Sequence, residues 1–268
     1  MLSPAHLTKH IPVLTYPFAT STFYLAQLDD GVSNGTALWL GAQCLSLYLA
    51  QIHSKHKPSQ SVIPPRVVEL GSGIGLTALA LSALGWDVLA TDIPHVISNV
   101  LTRNIQHNLA QLPPTSGTIQ ICELDWTISP ERWTWDNAIA IASASPSIAS
   151  YTDQAGFLSP PYDLICSADT VYSAALIEPL LRTFHTLCRL SAESSTFGRA
   201  PPVYLCIERR DPGLVERLLA DAKNTWGFNV CRIPHRKVTK AMEKGGVVWN
   251  SDEWAGIEIW KLTLPWDV

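Results

Sequence analysis

Charge is scarce in this sequence: 16% of its 268 residues are Asp, Glu, Lys or Arg, against 47% that are apolar. A chain so composed builds a large core, and bulk disorder is not expected. There is no basic run, and 19 basic against 23 acidic residues leave a formal charge of −4, which argues against a general nucleic-acid binder. A patch assembled only by folding would escape such a count. The six cysteines (Cys44, Cys122, Cys166, Cys188, Cys206 and Cys231) form no C-x-x-C pair. Several lie in apolar patterns, where a thiol acts as a small hydrophobe, so they read as reduced core residues of a cytosolic or nuclear protein. His53 and His56 could share a helix face, but no third ligand stands near them and no metal site is expected. The longest apolar stretch, 37–50, is interrupted by Gln43 and Ser46. It falls short of the ~20 residues that cross a bilayer. Lys9 and His10 introduce no apolar run of the signal-peptide kind. A G-x-x-x-x-G-K-[ST] loop is also absent, which removes phosphate cradling of that type.

What the chain does have is the stretch 66–77, R-V-V-E-L-G-S-G-I-G-L-T. A β-branched run ends in Glu69 and Leu70, Gly71, Gly73 and Gly75 alternate, and an apolar helical pattern begins at once. That reads as strand, tight turn and helix, the opening of an α/β nucleotide-type site. A turn without β-carbons lets a ligand approach the backbone, beside the N–H groups of a helix N-terminus. The dinucleotide fingerprint needs its third glycine five residues after the first; here it comes four after, so a dehydrogenase reading fails on spacing. Another Rossmann-like ligand, or a turn that only packs helix on strand, stays open at this point.

Around that stretch the elements alternate. Residues 12–18 and 22–28 read as two short strands, a hairpin capped by Asp29-Asp30-Gly31, and a helix runs from about Thr36 with an apolar stripe to Ile52. A polar, proline-ended linker (54–65) leads into strands at about 66–70, 87–91, 118–123, 162–168, 203–208, 228–233 and 255–264. Helices are expected at about 75–84, 94–110, 174–190 and 212–225. The length suits one large domain with an extension: 1–58 as N-terminal extension and pre-core helix, 59–268 as core, with an insertion at about 127–161. The fold class is α/β, a Rossmann-like seven-stranded, mostly parallel sheet with helices on both faces.

Ligands of open α/β sheets bind beyond the carboxyl ends of the strands. Gly71, Ser72 and Gly73 stand there after the first central strand, and Asp92 after the second. Asp92 suits ribose hydroxyls, or equally a helix cap before Pro94. Asp125-Trp126 follows the third strand, where an indole could flank an adenine or simply fill the core. After the fourth stand Ala168, Asp169 and, three residues on, Tyr172. A carboxylate and a phenol so spaced can converge on one small space, and a helix cap is the plainer reading of Asp169.

Taken together, T-A-L-W-L-G-A-Q-C-L-S-L-Y-L (36–49), V-V-E-L-G-S-G-I-G-L (67–76), V-L-A-T-D (88–92), N-I-Q-H-N (104–108), L-D-W (124–126) and D-L-I-C-S-A-D-T-V-Y-S (163–173) resemble the seven-β-strand protein-lysine methyltransferases of the methyltransferase-16 family. These include the fungal elongation-factor and the valosin-containing-protein lysine methyltransferases. The likeness spans roughly 25–265, and the D-x-x-Y of its last segment is the part a small-molecule methyltransferase would not be expected to carry. It implies a class I fold, S-adenosylmethionine (SAM) as cofactor and a protein substrate presenting a lysine, with a translation elongation factor one such target. It also implies roles: Trp39 bordering the cofactor, Glu69 in the first motif, and Gly71, Ser72 and Gly73 along the methionine and ribose. Asp92 would hold the ribose hydroxyls, Trp126 would lie by the adenine, and Ala168 would close the site. Asp169 and Tyr172 would form the rim where lysine enters. The 127–161 insertion is longer than the family pattern. Neither nucleic acid nor membrane is expected as a partner, and the chain is taken as a monomer. A methyltransferase of another side chain or of a small molecule, and a SAM-binding module without catalysis, remain the alternatives.

Overall fold

A computed structural model describes residues 2–28, 34–53, 63–144, 156–196 and 198–265. The expected Asp29-Asp30-Gly31 turn, His56, most of the 54–65 linker and the stretch 145–155 of the insertion lie outside the described residues.

The main sheet is built from β3 (Arg66–Leu70), β4 (Asp87–Asp92), β5 (Ile119–Leu124), β6 (Ala140–Ala142), β7 (Leu164–Ala168), β8 (Val203–Glu208), β9 (Asn229–Arg232) and β10 (Ile257–Thr263). Their order across the sheet is β6-β5-β4-β3-β7-β8-β10-β9. Every pair is parallel except those of β10, which runs antiparallel to both β8 and β9. The central strands read as near-continuous apolar runs because both faces are covered. Val67 faces one buried cluster, while Val68 and Leu70 face the other. The first cluster is closed by α1 (Leu40–His53), α2 (Leu76–Ala83) and α7 (His235–Lys244), the second by α5 (Ile177–Ser194) and α6 (Pro212–Asn224). Helical spacing selects the buried side of α5: Leu180, Leu181, Phe184, Leu187 and Cys188 are all inside. Asp211 starts α6 by accepting the Leu214 N–H, with Pro212 in the first turn, where its missing donor does no harm.

All seven expected strands are present, and the 127–161 stretch adds the three-residue β6 beside β5. The helix expected from Thr36 starts at Leu40, after a short 3₁₀ turn at Asn34–Thr36. Helix α7 was not expected. Only Val238, Ala241 and Met242 of its ten residues are buried, too sparse a stripe to stand out among its charges.

The strands foreseen near the N-terminus form a hairpin, β1 (Val13–Phe18) with β2 (Ser21–Ala26), that turns at Ala19-Thr20. A helix that begins as α3 (Pro94–Val96) passes through a π-helical stretch, Ile97–Leu101, into α4 (Thr102–Asn108). Two buried asparagines of α4 take the place of a missing strand partner. Asn104 accepts the Ala26 N–H (2.8 Å) and donates to the Ala26 carbonyl (2.9 Å) and the Ile74 carbonyl (3.0 Å). Asn108 does the same for Tyr24, at 2.7 and 2.8 Å. Spacing of one helical turn puts both amides on one face, along the free edge of β2. Asn104→Ala strands three backbone groups at once, so the free energy of unfolding in urea is expected to fall by ~2–4 kcal/mol. A loss below ~1 kcal/mol would mean that water replaces the amide.

Candidate active site

Gly71, Gly73 and Gly75 all adopt positive φ (72°, 54° and 88°), the left-handed region that side chains disfavour. The Gly71 and Ser72 N–H groups both donate to the Thr91 carbonyl, at 3.0 and 2.9 Å, which stitches the turn to the end of β4. A methyl group on Gly71 would stand 2.7 Å from the Thr170 side chain and 3.4 Å from the Trp126 ring. Three loops, those after β3, β5 and β7, therefore meet over one glycine.

Asp92 does not cap the helix that follows it, whose N-cap is Ile93 with no side-chain bond. Its Oδ2 accepts the Gly73 N–H and its Oδ1 the Ile93 N–H, each at 2.8 Å. Burial pushes its carboxyl up to about 6, against the pull of those two donors. Glu69 lies beneath the turn, 2% exposed. Burial raises it to about 8, although the Ser72 and Thr77 hydroxyls and the Ala78 N–H stand close enough to oppose the shift. Among the described residues, no hydrogen bond of ordinary geometry reaches Glu69 Oε2, Ser72 Oγ or Trp126 Nε1, although all three are buried.

Burial thus favours the neutral form of the Glu69 carboxyl. Its native value stands above the ordinary 4.5, so the stability it contributes is fully present below that pH and is lost as pH rises through 8. Glu69→Gln keeps a neutral group of the same shape. The urea midpoint of the variant is expected to fall less than that of the wild type between about pH 6 and 9. Parallel curves would show that Glu69 is not the group that titrates.

Ala168 ends β7, half-buried, and Asp169 follows it at φ 55°. The expected cap on its own following helix is absent, for Ser173 fills that place. Asp169 caps a different helix. Its Oδ2 accepts the N–H of Gly41, the second residue of α1, at 2.6 Å, and its Oδ1 accepts the Glu208 N–H at 3.3 Å. A β-carbon on Gly41 would lie 2.5 Å from that carboxylate, so the approach needs glycine there. Burial, then the nearby Glu208 charge, pushes Asp169 up to about 6, while the Gly41 N–H and Arg210 draw it down.

Asp169 and Tyr172 share a cleft of about 200 Å³ with Asn34, Trp39, Glu208, Arg210 and Asp211. Tyr172 is exposed, and its hydroxyl is raised first by partial burial and then by the charge of Asp92, which ties the cleft to the glycine turn. Trp39 donates its Nε1 to the Asn34 carbonyl. Over its ring stand the Lys9 ammonium, 3.3 Å from the centroid, and the Arg210 guanidinium, at 4.5 Å. Glu208, Arg210, Asp211 and Gly41 were not anticipated. The carboxyl-end rule would have reached E-R-R-D at 208–211, because β8 ends at Glu208. Gly41 carried no such signal.

A family model described as lysine methyltransferase matches residues 22–141. Over that stretch the chain is similar to this family. The match takes in Trp39, Glu69, the Gly71–Gly73 turn, Asp92 and Trp126, while Ala168, Asp169 and Tyr172 lie beyond it. Protein-lysine methyltransferase METTL21E of Mus musculus is 27% identical over 187 residues, 67% of this chain and 64% of that one. Ribosomal lysine N-methyltransferase 5 of Lachancea thermotolerans is 29% identical over 65% of this chain and 52% of its own. EEF1A lysine methyltransferase 3 of Xenopus tropicalis is 28% identical over 46% and 42%. The chain spans about half to two thirds of the length of the curated relatives it matches.

Similarity to the lysine methyltransferase family implies SAM as cofactor. The residues of this chain fit it. Among the described residues no hydrogen bond of ordinary geometry satisfies the buried Ser72 Oγ, Trp126 Nε1 and Glu69 Oε2, which are grouped around the glycine-rich turn. Orphaned polar groups are costly inside a protein, and a polar ligand at the turn would relieve the cost.

Proposed function

We propose that this chain transfers methyl groups from SAM to the ε-amine of a lysine in a protein substrate. One observation carries the reading: beside the glycine turn, the cleft presents three carboxylates (Asp169, Glu208 and Asp211) and two aromatic rings (Trp39 and Tyr172). Carboxylates and ring faces are what a cation seeks. At about 200 Å³ the cleft suits the end of one side chain and falls below the ~300 Å³ at which sites for whole small molecules begin.

SAM, when bound, supplies an electrophilic methyl on a sulfonium, which an amine lone pair accepts by in-line displacement without a metal. Gly71, Ser72, Gly73, Asp92 and Trp126 would hold it, with Trp39 and Ala168 at its border. Orientation of the reacting groups contributes ~7–11 kcal/mol in favourable cases. Protonation is the obstacle, because a lysine of pKa ~10.4 is neutral in about one molecule in a few thousand at pH 7. Desolvation in the cleft lowers that pKa, while Asp169, ionised at pH 7, favours the ammonium. Asp169 therefore serves to capture and orient the incoming lysine, and the proton leaves to water. Its bonds to Gly41 and Glu208 fix the carboxylate before lysine arrives. Tyr172 narrows the slot opposite. A translation elongation factor is the finer candidate for the substrate, by analogy with the relatives named EEF1A lysine methyltransferase 3.

The test is incubation with methyl-labelled SAM and a lysate of cells lacking the protein. A labelled band that hydrolyses to methyl-lysine supports the reading and offers the substrate to mass spectrometry. Label in another amino acid or in small molecules would overturn it, as would a chain that binds no SAM.

A further inference from the structure

We propose that Arg210 plugs the lysine slot and that the acceptor is a lysine flanked by acidic residues, which receive the guanidinium when it is displaced. The inference rests on the lysine reading above and adds to it the chemical class of the acceptor. Arg210 lines the cleft with its guanidinium over the Trp39 ring, 4.5 Å from the centroid, and it is ion-paired with Glu208. Its positive charge also acts on Asp169. The surfaces that would hold a lysine ammonium are thus already facing a cation of the chain itself.

Neighbouring Arg209 is held differently. Its guanidinium bonds Glu216 at 2.7 Å and the buried Glu258 at 3.4 Å, and Glu258 in turn bonds Arg232. Arg209 therefore anchors the loop between β8 and α6 to β10 and to α6 itself. Among the described residues, the Arg210 side chain, 53% exposed, makes one ion pair and one ring-face contact, both weak at such exposure. An arginine so placed can leave without disturbing the loop. Once displaced, it would give up Glu208 to the entering ammonium and point outward, where a carboxylate beside the target lysine would meet it. A lysine with neutral neighbours would pay for the exchange with no such return.

Two acetylated heptapeptides test this, one with central Glu-Lys-Glu and one with Gln-Lys-Gln, each carrying a fluorophore, titrated by anisotropy against the full chain saturated with S-adenosylhomocysteine. The wild type is expected to bind the Glu-flanked peptide ~5–10-fold more tightly, the range of one charge-assisted contact. In Arg210→Ala that preference is expected to vanish, and the Gln-flanked peptide to bind several-fold more tightly than it does to wild type. Arg210→Lys should keep the preference in part. Unchanged discrimination in Arg210→Ala, or weaker binding of both peptides, overturns the plug. A norleucine peptide with Gln neighbours separates this from failure of the underlying reading. If Arg210→Ala holds it as well as the lysine peptide, and the wild type labels no lysine in a lysate, the slot is not for lysine at all.

Discussion

Asp169→Asn is expected to lower methyl transfer by at least ~100-fold while leaving SAM affinity within a few-fold, because it removes a charge from a partly desolvated site and, beyond that, only the long 3.3 Å acceptor of the Glu208 N–H. The replacement has nearly the same shape. Asparagine tolerates the left-handed φ of 55° as aspartate does, and its amide oxygen can still accept the Gly41 N–H that Asp169 Oδ2 accepts now. Thermal stability should therefore hold close to wild type. Asp169→Ala should lose the same activity and be less stable as well, by ~1–3 kcal/mol, since the N–H groups of Gly41 and Glu208 would lose their acceptor. The pair of variants separates the charge from the capping. The pH profile gives a second reading. With Asp169 pushed up to about 6, the wild type should lose transfer below that pH as the carboxylate takes its proton. The asparagine variant should lack this bend and keep only the steady rise with pH that lysine deprotonation imposes. An Asp169→Asn enzyme with wild-type turnover would sink the capture role.

That Asp169 faces the N-terminus of α1, 128 residues away in the chain, marks the boundary of what the sequence could say. Its position beyond β7 was legible, because the short apolar run 164–166 predicts a strand and ligands of open α/β sheets bind beyond the carboxyl ends of strands. Its partner was not, because nothing local to Gly41 announces that a carboxylate will lie where a β-carbon would be. The glycine turn is the opposite case: strand, turn and helix are all local, and each was readable from spacing. Asn104 and Asn108 stood in plain view in N-I-Q-H-N, yet their use as a rung for β2 depends on a hairpin some 80 residues earlier. Helix α7 failed for a third reason: it is anchored by three buried residues on α1, so tertiary packing and not its own pattern decides it. Arg210 combines the two kinds. Its place after β8 was local information, but its contact with Trp39 joins two loops that only the sheet brings together.

Asp92→Ala is expected to raise the dissociation constant for SAM by ~10–100-fold, the ~1.5–3 kcal/mol of hydrogen bonds to a charged group. Two causes could produce that number, and a second variant divides them. Asp92 accepts the Gly73 N–H and is also the acid proposed for the ribose hydroxyls, so alanine would loosen the turn and, on that proposal, remove the ligand contact as well. Asp92→Asn keeps an oxygen for Gly73 and discards the charge. If asparagine weakens SAM nearly as much as alanine, the carboxylate itself meets the ribose. If asparagine binds SAM like wild type, Asp92 acts by bracing the turn, and the ribose is held elsewhere. Calorimetry at two pH values sharpens the choice. The carboxyl titrates near 6 in the free protein, and a ligand that bonds its ionised form must pull that value down, releasing a proton as it binds at low pH. Wild type should therefore bind SAM more weakly at about pH 5 than at pH 8, and Asp92→Asn should lose that difference. A dissociation constant unmoved by Asp92→Ala would refute the ribose assignment outright, and would leave the three orphaned atoms around Gly71 as the feature that holds SAM.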